Sequence, residues 1–528
     1  MRILAKPLTV PALCLVLLLA LIFSRIMGFE MRRDEQLYAT PAALLENFRL
    51  YKDIFYNHTP GSAWYFHGIM AGLETDKLLL AGRLGVFFGW VAFGAALLGI
   101  TYRLTESSAM SLFAMTAILA NGALLNQTGM TATNNLLVLS AAYIGLGFFL
   151  MGTTKSGAKP LWVFLGGLFL ATAAAIKASA FVFIPLVALA ALLIPQHVPF
   201  AQRVTKVTVP LALGGLLGAA PVLAYFAADP GRFLAHVIGF HTGPHVAYWA
   251  AQTVDGEDIV AMSAGAKGQM AYSIWFNGAN LLLMFVTVLM LTVLIWLDSW
   301  KRTFLRLIGG QFGLMVSCIA AAAAMSLVPT PGFPQYYTLP LVCIPLLIAL
   351  LYADLGEEEQ LNSNPALIAA SAVILIVAAP QLGQSLPHLV STKSWTSEKS
   401  HRAGMAIARE IAAAGVTGKV ATLLPIYPIE GGLEVYPELA TGQFAYRTAE
   451  YADPALRRFY RTTSPAEIAQ LFAGDRPAAI LVGFEAKLEE PLVKFAEANG
   501  YRKVDSLDIS DRYGTAVLYI RPAAAIGN

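Results

Sequence analysis

Acidic and basic side chains are scarce in this chain. They make up 13% of its 528 residues, against about 25% in soluble globular domains, while hydrophobic residues reach 57%. That deficit excludes an ordinary soluble fold and points to a polytopic membrane protein. The formal net charge is only +3, and no basic tract or basic–aromatic repeat occurs, so a nucleic-acid partner is not expected. Cysteine is limited to Cys14, Cys318 and Cys343. Each falls in a hydrophobic segment, so no disulfide framework is expected. There is no G-x-G-x-x-G turn to mark a dinucleotide site, and no tandem repeat or low-complexity segment.

What the chain has instead is long apolar runs. They lie near 8–26, 80–101, 107–126, 132–151, 161–176, 178–194, 207–228, 277–297, 308–328, 335–352 and 365–384. Most approach the ~20 residues that cross a ~30 Å hydrocarbon core, so about eleven spans are predicted. Arg2 and Lys6 precede the first run as in a signal peptide, but Ser24-Arg25-Ile26-Met27 offers no small-residue cleavage site. The first helix is therefore expected to stay uncleaved. With the N-terminus inside, the short inside loops carry Arg103, Lys155, Lys159, Arg203, Lys206, Lys301, Arg302 and Arg306. Cations favour cytoplasmic loops, so the C-terminus is expected outside, which in a bacterium is the periplasm. Asp354 and Glu357–Glu359 inside, and Arg25, Arg32, Arg33 and Lys52 outside, run against the trend.

Two outside loops are long, about 27–79 and 229–276. In the first, Thr40-Pro41 reads as a helix cap followed by proline at the first helical position. Ala42–Phe48 and the aromatic, amphipathic stretch Gly61–Leu73 suit helices lying in the membrane interface. The tail differs in kind. Glu398–Ala414 and Glu489–Asn499 read as helices, and Lys419–Leu424, Ala478–Val482 and Gly514–Ile520 as strands, which predicts a small α/β domain. The expected fold is therefore mainly α: a transmembrane helical bundle over 1–388, with a periplasmic α/β domain over 389–528.

Ionisable groups next to a bilayer are costly to desolvate and mark functional positions. Arg32-Arg33-Asp34-Glu35 follows the first span directly. Topology brings four further features to the same outer face: Tyr51–Gly61 with His58, the polar patch Asn126–Asn135, Lys177, and Phe333-Pro334-Gln335-Tyr336-Tyr337. Together they offer a carboxylate base, cations for an anion, and aromatic rings for a sugar or lipid. The bland alternatives are a solvated acidic pair, a snorkelling lysine and an aromatic belt. His236, His241 and His245 and the run Asp255-Gly256-Glu257-Asp258 invite a metal reading, but the histidine spacing fits neither a helical i, i+4 zinc pair throughout nor a known finger. A loop shaping the acceptor entrance is the preferred reading. Asn57-His58-Thr59 matches a glycosylation sequon, read here as chance.

These motifs resemble the glycosyltransferase C superfamily, in the branch holding protein O-mannosyltransferases and lipid A aminoarabinose transferases. RRDEQLYA is similar to the D-E-x-x-Y motif of the first outside loop, and YKDIFYNHTPGSAWYF to the segment that follows it. AIKASAFVFIPL resembles a lysine-bearing later helix, and FPQYYTLPLVCIPLL the aromatic–proline start of a late one. The resemblance spans about residues 1–385. It implies a transferase with a polyprenyl-phosphate sugar as donor, a glycan, lipid or protein hydroxyl as acceptor, membrane lipids around it, and inversion at the sugar. In keeping with this, no D-x-D motif or soluble nucleotide-sugar domain is evident. Asp34 is then the expected base, with Glu35 beside it. Arg33, His58 and Lys177 are expected to stabilise the departing phosphate, and Tyr336, Tyr337 and Asn134 to hold phosphate and sugar. Phosphate is a tolerable leaving group, so no cofactor is required in principle, and a divalent metal stays open. The chain departs from the pattern where Leu37 replaces a basic residue and where His58-Thr59-Pro60 replaces a lysine before prolines. It departs again where Asn134 or Asn135 takes the place of a second acidic residue.

Two other functions fit less well. An O-antigen ligase or polymerase centres on an arginine-rich outer loop, whereas the second long loop holds only Arg232 and Lys267. A secondary transporter is expected to show internal repeats, which are absent.

Overall fold

In the computed structural model, residues 8–154, 157–252, 260–504 and 507–523 are described. Arg2, Lys6, Lys155 and Asp255–Asp258 lie outside the described residues. Among those described, eight helices are long and apolar enough to cross a membrane, from Thr9–Gly28 to Glu357–Gly383. Ser108–Leu119, Pro160–Ile176 and Ala178–Leu193 are shorter apolar helices. Together they occupy the hydrophobic runs read from the sequence. Asn134–Gly152 is buried almost throughout at the centre of the bundle, whereas Leu217, Val288 and Ile376 on peripheral helices point outward, as lipid-facing positions do. The chain is a polytopic helical membrane protein.

Close helix packing positions the face that carries the charged motif. Gly214 and Gly218 of Val209–Ala228 sit against the backbone of Pro160–Ile176, and Gly167 sits against Leu211 in return. Small residues at this spacing let two membrane helices approach to backbone contact. Pro160–Ile176 ends at Lys177, and a 3₁₀ turn, Ala178–Val182, precedes the next helix, Phe183–Leu193. Lys177 thus falls at the join, outside both helices.

In the first long loop the helix runs Arg33–Leu44, with Pro41 inside it. This corrects the start expected at Thr40-Pro41. The Glu35 carboxylate accepts the Arg32 backbone N–H at 3.0 Å and so satisfies one of the open donors of the helix start. Asp34 and Glu35 occupy the first turn, where the helix N-terminus favours negative charge. Gly61–Leu73 forms as expected.

The tail carries a four-stranded sheet in the order Val420–Thr422, Ala479–Val482, Val517–Ile520, Arg502–Val504. The first pair is parallel and the others antiparallel. Thr396–Ala413 and Ala486–Ala498 are helical. The tail is bound to the rest of the chain at several points. Lys77 pairs with Glu398 at 2.7 Å, the Leu79 N–H donates to Glu430 at 2.8 Å, and the Ile426 N–H donates to Gln36 at 2.9 Å. At the cation-rich end, Arg306 pairs with Asp354 at 2.9 Å and with Asp298 at 3.2 Å, so Asp354, one exception to the charge trend, has basic company.

Candidate functional site

A cavity of about 1390 Å³ opens between the helix bundle, both long loops and the tail. Asp34, Lys177, His58, Arg33 and Tyr336 all line it. Asp34 is set on the wall by the first turn of Arg33–Leu44, and Gln127 Nε2 donates to its Oδ2 at 2.8 Å. Gln127 belongs to the polar patch singled out in the sequence, although the residue itself was not.

Glu35, expected with Asp34 as a catalytic pair, sits in different surroundings. It is fully buried, and Arg83 grips it through two bonds, Nε to Oε1 at 2.6 Å and Nη2 to Oε2 at 2.7 Å. The Ala132 N–H also donates to Oε1 at 2.8 Å. Arg83 in turn donates to the carbonyls of Ile26 and Phe29 at 2.5 and 3.1 Å. With its oxygens occupied and turned away from the cavity, Glu35 anchors the helix that presents Asp34. Successive residues on a helix point about 100° apart, so neighbours in sequence serve different surroundings.

The same reasoning separates two other pairs. Asn134 donates to the Ile176 carbonyl at 3.2 Å and does not face the cavity, whereas Asn135 lines it and accepts from Lys177 Nζ at 2.6 Å. Tyr337 packs into a cluster with Ala261 and Met270, while Tyr336 faces the cavity with Lys177 Nζ 5.0 Å over its ring. Asn135 and Tyr336 are thus the cavity members of their pairs.

His58 stacks on Tyr38 at 4.9 Å, and its Nε2 lies 2.8 Å from the Tyr38 hydroxyl. His241 follows at 5.6 Å from His58, and His245 at 5.6 Å from His241. His241 and His245 both belong to the second long loop. Burial pushes the His58 pKa well down, and His241 and Lys177 push the same way. Burial lowers His241 and brings His245 to about 3. The row is therefore neutral at pH 7, and His58 supplies a hydrogen-bonding imidazole rather than the cation expected of it. Burial also lowers Lys177, to about 8, against the opposing pull of Asp34. His236 turns aside and bonds the Arg232 carbonyl at 2.8 Å. Among the described residues no three His, Cys, Asp or Glu side chains form a metal-holding group.

Arg33 stands at the rim. Its Nε donates to Glu485 at 2.5 Å, and its guanidinium lies 4.2 Å over the Tyr513 ring. Glu485 is presented by a loop whose backbone N–H groups at Gly483, Phe484 and Glu485 all donate to Glu489, at 2.7, 3.0 and 3.0 Å. The tail therefore forms part of the cavity wall. Gln443, Arg447 and Tyr513 line it, and no motif in the sequence had pointed to them.

The chain matches no family model, and no curated protein matches it in sequence. Solved structures do match. ArnT from Cupriavidus metallidurans bound to undecaprenyl phosphate aligns at 12% identity and TM-score 0.61, over 98% of this chain and 99% of that one. The same protein in the apo state aligns at 11% identity and TM-score 0.60, over 96% and 97%. The Archaeoglobus fulgidus oligosaccharyltransferase in the apo form aligns at 11% identity and TM-score 0.45, over 90% of this chain and 70% of that one. The fold is thus that of ArnT along nearly the whole chain, in keeping with the glycosyltransferase C resemblance of the motifs.

Proposed function

We propose that this chain, which has the ArnT fold, is an integral membrane glycosyltransferase of the bacterial inner membrane. In this reading it moves a sugar from a polyprenyl-phosphate donor to a hydroxyl acceptor at the periplasmic face. The observation that carries the reading is that a carboxylate, Asp34, and an ammonium, Lys177, line one cavity walled by span ends and outer loops together. A related fold seen with undecaprenyl phosphate adds support. The basic residues of the short loops favour a cytoplasmic N-terminus, with residues 1–388 carrying the chemistry and 389–528 covering the cavity from the periplasm.

In the reaction, Asp34 takes the proton of the acceptor hydroxyl as its oxygen attacks C1 of the sugar. The C1–O bond to phosphate breaks on the opposite side, inverting the anomeric centre, and the electron pair leaves on the polyprenyl phosphate. Lys177, oriented by Asn135 and Tyr336, meets that developing charge, with neutral His58 at its side. Where the resembling enzymes carry a second acidic residue, this chain has Asn134 or Asn135, so in this reading one carboxylate serves as base. The reading needs no cofactor.

Membranes lacking the endogenous activity and containing this chain are expected to transfer label from a polyprenyl-monophosphate sugar, and not from a nucleotide sugar or a polyprenyl-diphosphate sugar. Transfer only from the diphosphate donor would favour a ligase and overturn the reading. The rate should also report Lys177. The ammonium is the working form and its pKa is lowered to about 8, so kcat/KM is expected to fall as pH rises through about 8 in the free enzyme. Lys177→Arg, which cannot deprotonate in this range, should lose that alkaline limb even if its rate is lower. An unchanged limb in Lys177→Arg would assign it to another group.

A further inference from the structure

Arg447 and Gln443 lie one turn apart on Gln443–Thr448, and both line the cavity. They are only 7% and 5% exposed. The Arg447 guanidinium lies 5.0 Å from the Tyr248 and Trp249 rings and 4.9 Å from Phe444. Neither Arg447 Nε nor Gln443 Nε2 has a hydrogen-bond partner among the described residues. The Arg447 charge reaches Glu485, but Glu485 Oε1 is already held by Arg33. Buried donors of this kind are costly unless an acceptor meets them, and a guanidinium meets a carboxylate or phosphate best.

This pole is distinct from Lys177. Tyr336 meets Phe333 edge to face at 5.5 Å, and Phe333 meets Trp249 edge to face at 5.8 Å. A lane of rings therefore joins the Lys177 end to the Arg447 end, with one cation at each. A single phosphate at Lys177 leaves Arg447 Nε and Gln443 Nε2 unmet. Rings with a wet, polar edge suit a sugar, whose apolar face stacks while its hydroxyls stay bonded.

We propose that Arg447 and Gln443 form an acceptor subsite for an anionic sugar, binding its carboxylate or phosphate while the ring stacks on Trp249 and a hydroxyl turns towards Asp34. The inference rests on the transferase reading above and gives its acceptor a chemical class.

The test uses the full chain in detergent micelles and four probes. These are a glucuronic-acid disaccharide, N-acetylglucosamine 6-phosphate, neutral N,N′-diacetylchitobiose, and undecaprenyl phosphate. At least one anionic sugar is expected to bind about tenfold tighter than the neutral one, and which of them binds separates carboxylate from phosphate. Arg447→Gln is expected to weaken it at least about tenfold and to leave undecaprenyl phosphate binding unchanged, with Arg447→Lys between the two. If Arg447→Gln fails to fold, Gln443→Ala serves in the same comparison, with a smaller loss expected. The proposal is overturned if neither anion outbinds the neutral sugar, or if Arg447→Gln weakens undecaprenyl phosphate equally. Wild type that binds no undecaprenyl phosphate would instead sink the donor reading, whatever Arg447 does.

Discussion

Asp34→Asn is expected to lower sugar transfer by about 10²- to 10⁴-fold, the usual contribution of a positioned base, while the protein remains folded. The substitution is close to isosteric, and the amide oxygen still accepts from Gln127, whose Nε2 lies 2.8 Å from Oδ2. What is lost is the capacity to take a proton from the acceptor hydroxyl. Initial rates at equal amounts of folded protein, judged by gel filtration, check this. A loss below about tenfold would remove Asp34 as the base and turn the search to other proton acceptors on the cavity wall.

Glu35 is expected to fail in another way. Glu35→Ala leaves the buried Arg83 guanidinium without its counter-charge, although both side chains are almost wholly inaccessible, at 0% and 1%. Removing one partner of a buried pair costs about 3–5 kcal/mol, a large share of the about 5–15 kcal/mol that holds a typical domain folded. Arg83→Met should do as much harm from the other side, since the carbonyls of Ile26 and Phe29 lose their donor as well. Poor yield and a lowered thermal midpoint are therefore expected for both variants. A Glu35→Ala protein that is stable but inactive would instead give Glu35 the reacting role assumed from its place beside Asp34. Comparing the two neighbours thus separates chemistry from anchoring within one dipeptide.

The spans were legible because membrane helices announce themselves by long apolar runs, as at Gly278–Leu297 and Glu357–Gly383. The two long helices and three of the four sheet strands of the tail were legible for a similar reason, since their hydrophobic periods are local, whereas Arg502–Val504 and the short helices such as Gln443–Thr448 were not. Contacts between distant segments were not. Glu35 meets Arg83 across 48 positions, and Arg33 meets Glu485 across 452, so neither partner could be read from spacing. The start of the first loop helix was misplaced because the carboxylate that caps it belongs to the motif read as catalytic, while Thr40-Pro41 imitates a start. Within pairs such as Asn134–Asn135 and Tyr336–Tyr337, composition marks the position, and only the helix rotation decides which member faces the cavity. The tail's share of the cavity wall left no trace because Gln443 and Arg447 sit in an otherwise ordinary polar stretch.

The central claim is that a polyprenyl phosphate departs against Lys177, next to Asp34. A structure of the full chain with polyprenyl phosphate bound tests it most directly. The account predicts a phosphate oxygen within about 3 Å of Lys177 Nζ, on the same cavity wall as Tyr336 and Asn135, with the polyprenyl chain running out between the helices. A phosphate resting on Arg447 instead, or outside this cavity altogether, would contradict it.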